Sequence, residues 1–511
     1  MRGSVFLGVL MDSRWILRIG LFSLPAICLA VVSLPAQQAA TADEVAQRLI
    51  AAVKGQSSLQ ENLRRLTDEI GGRVPGTEAN RRGVQWAVEA FRQAGVDAVH
   101  TEAFTMPVSW REGDTRLEVL APVLFAPRVV SLGWSPATPA GGVEAAVVDV
   151  DDGSEAAFAR AGATAKGALL LVHTQVIHTW LDLFNEYFNA PPIIERARKA
   201  GAAAILWTST REQGLLYRHQ NAFDGNLDVI PQALVAHEDA LRMARFIAVG
   251  QSVRARLTLP NQAGGPMPVE NVVAEIRGTD KADEIVMLGA HLDSWELGSG
   301  ALDNGANCAL VVEVARAVRA AGIRPRRTLR FVLWNGEEQG LLGSWAYARE
   351  HRKELDRVVA YVNFDGGMGQ VTGYSLGGRS DLLAGTREAL KPVESWGMNE
   401  HTLDASSGTD HVDFLLEGVP TLNANQVEAN YIVNYHASSD TLDKVDLFAL
   451  KRHAAYAAVT LVGIANREAR LGPRQSRAEI EALLKATGLD QQMKAFAMWE
   501  DWLSSRRGRQ P

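Results

Sequence analysis

The second half of the chain alternates short apolar runs with longer stretches in which apolar residues recur at helical spacing. Short apolar runs rich in β-branched residues are typical of buried strands. We predict strands near residues 271–277, 284–290, 328–334, 358–364 and 420–424. We predict helices near residues 306–321, 340–352 and 446–467. This alternation predicts an α/β fold with a mainly parallel mixed sheet sandwiched by helices.

The first half of the chain has a different texture. A helical pattern runs from Ala46 to Ile70, and a second one runs from about Asn80 to Ala94, with Gly95 as its stop. From about Thr115 to Leu259 the pattern changes to short strands and loops. This change predicts an inserted β-rich domain between two parts of the sheet domain.

The N-terminus has the pattern of a secretory signal peptide. Arg14 and Arg18 precede an apolar stretch, and Ala40-Thr41-Ala42 is a small-x-small cleavage signal before Asp43. The apolar stretch, residues 19–34, is shorter than the about 20 residues that a transmembrane helix needs. We therefore predict a secreted or periplasmic protein, with an uncleaved membrane anchor as the alternative.

These patterns divide the chain into five predicted segments. They are a signal peptide (1–42), the N-terminal part of the sheet domain (43–114), the inserted domain (115–260), the main part of the sheet domain (261–470) and a C-terminal helical tail (471–511).

Composition narrows the class of protein. Charged residues make up 22% and hydrophobic residues 47% of the chain, which is typical of a globular protein. The formal net charge of −7 argues against nucleic acid as a partner. Because Cys28 lies in the predicted signal peptide, Cys308 would be the only cysteine of the mature chain and no intramolecular disulfide is expected. Cys308 opens a helical pattern and is interpreted as a packing residue.

Acids and histidines follow the predicted strands, at the end of the sheet where ligands bind in α/β folds. The candidate metal ligands are His291, Asp303, Glu338, Asp365 and His436. Nitrogen and oxygen donors without a thiolate suit zinc, with cobalt or manganese as alternatives, and the mixture of imidazole and carboxylate favours zinc over magnesium or calcium.

The spacing of the acids suggests a role for each. Two metal ions about 3.5–4 Å apart need a shared carboxylate, and Asp303, in a glycine-rich loop, is the candidate bridge. Glu337 and Glu338 are neighbours at a strand end and point in different directions. We interpret Glu338 as a ligand and Glu337 as the general base that takes a proton from water.

Three further residues are candidates for the site. Asp293 is expected to accept the second N–H of His291 and fix its tautomer. Tyr435 is interpreted either as a donor to the oxyanion of a tetrahedral intermediate or as a structural aromatic residue. His411 is interpreted either as a substrate-pocket residue or as a hydrogen-bonding loop residue. The other histidines are interpreted as structural, and they are His100, His173, His178, His219, His237, His351 and His453.

These motifs resemble the co-catalytic di-zinc exopeptidase family that includes secreted aminopeptidases and glutamate carboxypeptidases. The stretch H-L-D-S-W-E-L-G-S-G-A-L-D at 291–303 looks most like the carboxypeptidase Q branch, and Y-H-x-x-x-D-T-L-D-K at 435–444 extends the resemblance. The resemblance implies a zinc-exopeptidase fold with a protease-associated-type insert and two Zn²⁺ ions per chain. It implies Glu338 and His436 on one ion, His291 and Asp365 on the other, Asp303 as the bridge and Glu337 as the base.

The chain departs from this family pattern at two positions. Asn304 stands where many relatives have a second Asp, after a peptide bond that is often cis in the family. Tyr435 matches other branches better than carboxypeptidase Q.

The resemblance implies a secreted or periplasmic metallo-exopeptidase that hydrolyses dipeptides or short peptides. A glutaminyl cyclase-like transferase with one zinc and a receptor-like protein without catalysis are the alternatives on the same fold. We expect a peptide substrate, no nucleic acid and no stable membrane association after signal cleavage, and we leave open a homodimer. The sequence does not reveal which terminus of the peptide is recognised.

Overall fold

The computed structural model describes residues 40–511, and Thr41–Pro511 form one compact unit. The predicted signal peptide, except for its last three residues, lies outside the described residues, and so does Cys28.

The described chain is a succession of short strands and helices. The strands are β1 (Ala98–Met106), β2 (Trp110–Arg111), β3 (Arg116–Ala121), β4 (Val129–Ser131), β5 (Val143–Asp149), β6 (Leu169–Val172), β7 (Ala204–Thr208), β8 (Gln232–Val235), β9 (Arg254–Thr258), β10 (Gln262–Ala263), β11 (Met267–Ile276), β12 (Lys281–His291), β13 (Arg327–Trp334), β14 (Val358–Asn363), β15 (Val371–Ser375) and β16 (Thr421–Gln426). The helices are α1 (Ala42–Lys54), α2 (Leu59–Arg64), α3 (Glu78–Ala94), α4 (Glu155–Ala161), α5 (Trp180–Ala200), α6 (His237–Ala248), α7 (Ala306–Ala320), α8 (Leu342–Glu350), α9 (Leu383–Leu390), α10 (His411–Leu416), α11 (Tyr431–Asn434), α12 (Leu447–Asn466), α13 (Arg477–Thr487), α14 (Leu489–Ala495) and α15 (Trp499–Leu503).

A mixed seven-stranded sheet forms the centre of the molecule, in the order β1-β11-β13-β12-β14-β16-β15. Strands β13, β12, β14 and β16 are parallel, and β1, β11 and β15 pair antiparallel with their neighbours. Helices α1, α3, α7 and α12 pack on one face, and α8 and α10 pack on the other. Because both faces are covered, every residue of β13 and β14 is buried. The predicted α/β fold is confirmed.

A second seven-stranded sheet, in the order β3-β9-β5-β6-β7-β8-β4, is built from residues 116–258. Strands β5, β6, β7 and β8 are neighbours and pair parallel to one another. The 21-residue helix α5 connects β6 to β7 along the chain. The sequence indicated strands and loops here and missed α5. Pro191 and Pro192 lie inside this helix, where proline usually breaks the backbone hydrogen bonding.

The lead-in, predicted to be helical in pattern over Ala46–Ile70, consists of three helical segments. Helix α1 ends at Lys54, α2 begins at Leu59, and a π-helical turn follows at Arg65–Ile70. The break occurs at Gly55 and the serines after it, where the Ser57 hydroxyl accepts a hydrogen bond from the backbone N–H of Leu59 at 3.1 Å. The predicted helical pattern is therefore present, with an interruption at residues 55–58.

Helix α12 is long and apolar enough to span a membrane, but two-thirds of its most apolar window is buried. It packs against α1, α7 and α9, so it is a core helix of the fold. The tail helices α13, α14 and α15 pack on the molecule through an apolar cluster that includes residues of α5.

Candidate metal centre and active site

The central sheet brings the predicted ligands to one edge. His291 ends β12, Glu337 and Glu338 follow β13, and Asp365 follows β14. These strands are parallel neighbours, so their carboxyl ends lie side by side. His436 reaches the same place from the turn after α11, with its backbone in the left-handed region at φ 58°. Such a backbone costs about 1–3 kcal/mol in a non-glycine residue and is found where surrounding structure enforces it.

Asp303 lies between two groups of ligands. Its Oδ1 is 3.1 Å from Nε2 of His291, which is in turn 3.2 Å from Oδ1 of Asp365. Its Oδ2 is 3.2 Å from Nε2 of His436, which is 2.8 Å from Oε2 of Glu338. Each group offers three ligand atoms that lie within 4.8 Å of one another. One carboxylate oxygen of Asp303 thus faces each group.

Several of the candidate donor atoms have no hydrogen-bond partner among the neighbouring residues that the structure describes. Among the described residues, Asp303 Oδ2, Glu338 Oε1 and His436 Nε2 are buried and have no hydrogen bond of good geometry. Buried polar atoms are normally partnered, so unpartnered donor atoms on three neighbouring residues suit a bound cation. Imidazole and carboxylate donors without thiolate fit zinc.

Burial and neighbouring charges shift the pKa values of several candidate site residues. Burial raises the pKa of Glu338 to about 7, and burial together with Asp365 and Asp410 raises the pKa of Glu337. Burial lowers the pKa of His436, but Glu338 and Asp303 outweigh it and raise the pKa to about 9. Carboxylates this close repel one another when ionised, and bound cations would relieve that repulsion.

The loop that carries Asp303 is held by a buried acid. Oδ1 of Asp440 accepts hydrogen bonds from the backbone N–H groups of Ala301 at 3.1 Å and Leu302 at 2.7 Å. Its Oδ2 accepts one from the N–H of Asp303 at 3.2 Å. Arg73, fully buried, donates to the carbonyl oxygens of Gly300 and Leu292 at 2.9 and 2.7 Å. Neither Asp440 nor Arg73 was predicted from the sequence to have a role at the site.

Asn304 tightens the same loop from the other side. Its side-chain N–H donates to the carbonyl oxygen of Phe364, next to Asp365, at 3.1 Å. Its side-chain oxygen accepts a hydrogen bond from Asn307 at 2.7 Å. A carboxylate at this position would have no N–H to donate to Phe364. The peptide bond between Asp303 and Asn304 is cis.

Asp293 contacts His291 through a different atom from the one predicted. The hydrogen bond from Nδ1 of His291 goes to the backbone carbonyl of Asp293 at 3.0 Å, and its carboxylate Oδ1 is 3.8 Å away. The carboxylate instead accepts the backbone N–H groups of Glu337 and Glu338, each at 3.3 Å. Only Leu292 separates His291 from Asp293, so the nearer main-chain oxygen reaches the ring. Asp293 thus orients the ring through its carbonyl and the two glutamates through its carboxylate.

An apolar pocket of about 100 Å³ opens onto the metal ligands. Glu337 lines it and is half-buried, whereas Glu338 is 8% exposed. This difference suits a base that meets water and a ligand that does not. The aromatic and apolar residues of the pocket's wall come from α5, α11, loops and the tail. They are Trp180, Leu183, Phe184, Tyr187, Phe223, Leu341, Tyr431, Tyr435, Phe496 and Met498.

Tyr435 lies beside the metal ligands. Its ring stacks on His436 at a centroid distance of 3.6 Å, and its hydroxyl is 2.8 Å from the hydroxyl of Tyr187. One of the two hydroxyl groups is therefore free to donate a proton elsewhere, because only one proton is used between them. Tyr187 belongs to α5, a helix that the sequence analysis missed.

Two of the remaining histidines lie near the site, His411 in the core and His219 at the pocket. His411 is buried at the start of α10 and does not line the pocket, although Ser407 and Gly408 of the same loop do. His219, interpreted from sequence as structural, lines the pocket. Cys308 is buried, as expected of a packing residue, with its Sγ 2.9 Å from the carbonyl oxygen of His291.

Comparison with known proteins shows what the chain is similar to. Residues 271–461 match peptidase family M28. Mouse carboxypeptidase Q is 28% identical over 440 residues, which are 85% of this chain and 92% of the mouse protein. Human carboxypeptidase Q is 27% identical over 420 residues, 82% of this chain and 87% of the human protein.

Solved structures are similar to the chain as well. The peptidase M28 precursor from Shewanella amazonensis SB2B has a TM-score of 0.78 and 29% identity, over 85% of this chain and 99% of that one. A zinc aminopeptidase from Bacillus subtilis has the same fold, with a TM-score of 0.64, 21% identity and coverage of 82% and 97%. The predicted resemblance, fold class and assignment to zinc-dependent exopeptidases are confirmed. The chain is a metallo-exopeptidase whose residues 271–461 match peptidase family M28.

Proposed function

We propose that the chain hydrolyses dipeptides and short peptides at a centre of two zinc ions. The observation that carries this proposal is the position of Asp303, whose two carboxylate oxygens face two separate groups of ligands. His291 and Asp365 would hold one ion, and Glu338 and His436 would hold the other. A single-zinc transferase would need only one of these groups.

The chain's own residues suit the steps of peptide hydrolysis. Zinc, when bound, supplies a Lewis acid and lowers the pKa of water from 15.7 to about 7. Glu337, half-buried at the pocket, would take the proton from water and pass it to the leaving amine. The Tyr435 hydroxyl would donate a hydrogen bond to the carbonyl oxygen of the substrate as that oxygen develops negative charge. The Tyr187 hydroxyl would hold the Tyr435 hydroxyl in place through their mutual hydrogen bond.

The shape of the pocket supports short substrates. Side chains of α5 and of the tail form part of its wall, and the pocket holds only about 100 Å³. A folded protein could not enter a site roofed in this way without unfolding or displacing the roof. We therefore propose an exopeptidase that needs a free terminus, the identity of which stays open.

We also propose export, with removal of the signal peptide near Asp43. Thr41 caps α1, because its hydroxyl accepts the N–H of Glu44 at 3.2 Å and its own N–H donates to Glu44 at 2.8 Å. Cleavage after Ala42 would remove this cap, at a cost of about 1 kcal/mol to the helix. N-terminal sequencing of native protein tests the site of cleavage. A homodimer stays a prediction.

The proposed activity is tested with dipeptides, tripeptides and casein, each assayed with free and with blocked termini, on protein loaded with zinc. We expect hydrolysis of short peptides with a free end, inhibition by chelators and no cleavage of peptides blocked at both ends. Rapid internal cleavage of casein or of doubly blocked peptides would contradict the exopeptidase proposal. The blocked series also identifies the terminus that is recognised.

A further inference from the structure

A second cavity, of about 230 Å³, lies beside the metal pocket, and the ring of His219 lines both. Its polar wall carries the carboxylates of Asp152, Asp182 and Glu186, together with side-chain amides of three asparagines. Within the described part of the chain, no lysine or arginine lines it. The wall is therefore acidic and has no permanently charged cation, and the histidine His173 in it pairs with Asp149.

Glu186 lines this cavity and is almost fully buried. Its side chain is 7% exposed, and its Oε1 accepts a hydrogen bond from the hydroxyl of Tyr217. Its Oε2 is buried and has no hydrogen-bond partner among residues 40–511. Burying a carboxylate oxygen without a partner is costly. Such an oxygen suits a ligand that brings both positive charge and N–H donors.

The cationic groups near Glu186 do not neutralise it. Nδ1 of His219 is 3.7 Å from Oε1 of Glu186, but burial lowers the pKa of His219 to about 4, so the ring is neutral at pH 7. The guanidinium of Arg211 lies 4.5 Å from the ring centroid of Tyr217 and donates to Thr210. The described residues contain no lysine or arginine in salt-bridge contact with Glu186.

Helix α5 connects this acid to the metal site. Tyr187, the residue after Glu186, lines the metal pocket and bonds to Tyr435 through its hydroxyl. We propose that the cavity is a cation subsite, in which Glu186 binds an ammonium or guanidinium group of the peptide held at the metal centre. This inference rests on the proposed function. The cation is either a lysine or arginine side chain or the free α-amine of the substrate, which present the same chemistry.

The test compares the enzyme with Glu186→Gln, because glutamine keeps the shape and can still accept the Tyr217 hydroxyl. Glu195→Gln is the matched control, since Glu195 is on the same helix, is half-exposed and pairs with Arg198 outside the cavity. Each zinc-loaded protein is assayed with peptides that differ only in lysine or norleucine at each position. Inhibition by n-pentylammonium, with 1-pentanol as the neutral analogue, is measured on a norleucine peptide.

We expect Glu186→Gln to lower kcat/KM for lysine peptides about tenfold or more and to abolish inhibition by n-pentylammonium. A loss confined to lysine peptides assigns the cation to the side chain, and a loss shared by all peptides with a free α-amine assigns it to that amine. Unchanged selectivity together with unchanged n-pentylammonium inhibition would overturn the subsite. If the unmodified enzyme hydrolyses no peptide of the series, the proposed function fails instead, and n-pentylammonium binding by calorimetry still tests the cavity.

Discussion

Asp440 fixes the backbone at Asp303 through a hydrogen bond of 3.2 Å from the Asp303 N–H to its carboxylate, and it accepts two more from the residues before it. The acid is 3% exposed, and burial raises its pKa to about 7. The orientation of Asp303, the proposed bridge, therefore depends on an acid that acts through the backbone of the loop.

Asp440→Ala should weaken metal binding by about 10–100-fold, the effect typical of lost supporting contacts around a metal site. The three backbone N–H groups would lose their acceptor and the loop could turn Asp303 away. Zinc affinity measured by competition with a chelator checks this. Asp443→Ala is a control, since Asp443 is an exposed acid in the same segment. Unchanged affinity in Asp440→Ala would show that the loop holds its shape alone.

Glu337→Gln should keep two zinc ions per chain while lowering kcat by about 10²–10⁴-fold, because the amide keeps the shape but cannot accept a proton. The measurement is metal analysis beside steady-state kinetics. Glu338→Gln is the informative comparison, since Glu338 is the proposed ligand and its loss should reduce metal content. If Glu337→Gln turned over peptides at nearly the normal rate, another residue would have to be the base.

The site residues that follow a strand could be predicted from the sequence, because the pattern of the strand is local. His291, Glu337 and Asp365 follow long apolar strands, so their place at the sheet edge followed from the strand pattern. Asp440 could not be assigned, because its partners are backbone N–H groups more than 130 residues away. The same holds for Arg73, which binds carbonyl oxygens of a loop distant in sequence.

The second sheet shows the same limit. Its strands were anticipated, but α5 was not, since two prolines interrupt its sequence pattern. Tyr187 and Glu186 both lie on that helix, so their approach to the metal pocket could not be inferred.

Strand β1 of the central sheet was also missed. It is an edge strand whose side chains alternate between exposed and half-buried positions, so it lacks the continuous apolar run of a central strand.

Arg507→Met should destabilise the fold by about 3–5 kcal/mol, the cost of leaving one charge of a buried pair alone. Arg507 donates to both oxygens of Asp413, at 2.7 and 2.8 Å, and both side chains are almost fully buried. Urea unfolding measures the loss. Arg506→Met, at a side chain 68% exposed, is the matched control and should change stability little. Equal stability of the two variants would contradict a structural role for the Arg507 pair.

The stability of the protein should fall between pH 6.5 and 9 through His351. Hydrogen bonds from its ring to Glu102 at 2.8 Å and to Glu354 raise the pKa of His351 to about 9, above the value near 6.5 of an unfolded chain. The stabilisation is complete below pH 6.5 and is lost as the pH rises through 9.

His351→Gln should therefore flatten the decline of Tm over that range, as measured by calorimetry. His178→Gln replaces an exposed histidine and should leave the slope unchanged. A His351→Gln protein with the original slope would assign the pH dependence to other groups.

The central claim is that one carboxylate joins two metal ions, and the zinc content of Asp303→Ala tests it most directly. The protein is purified, dialysed against trace zinc and analysed by elemental mass spectrometry, with circular dichroism to confirm that it is folded. We expect two zinc ions per chain in the unmodified enzyme and in Glu337→Gln, and less than one in Asp303→Ala, because both ions lose a ligand. Two tightly held zinc ions in folded Asp303→Ala, or a single ion in the fully active enzyme, would contradict the account.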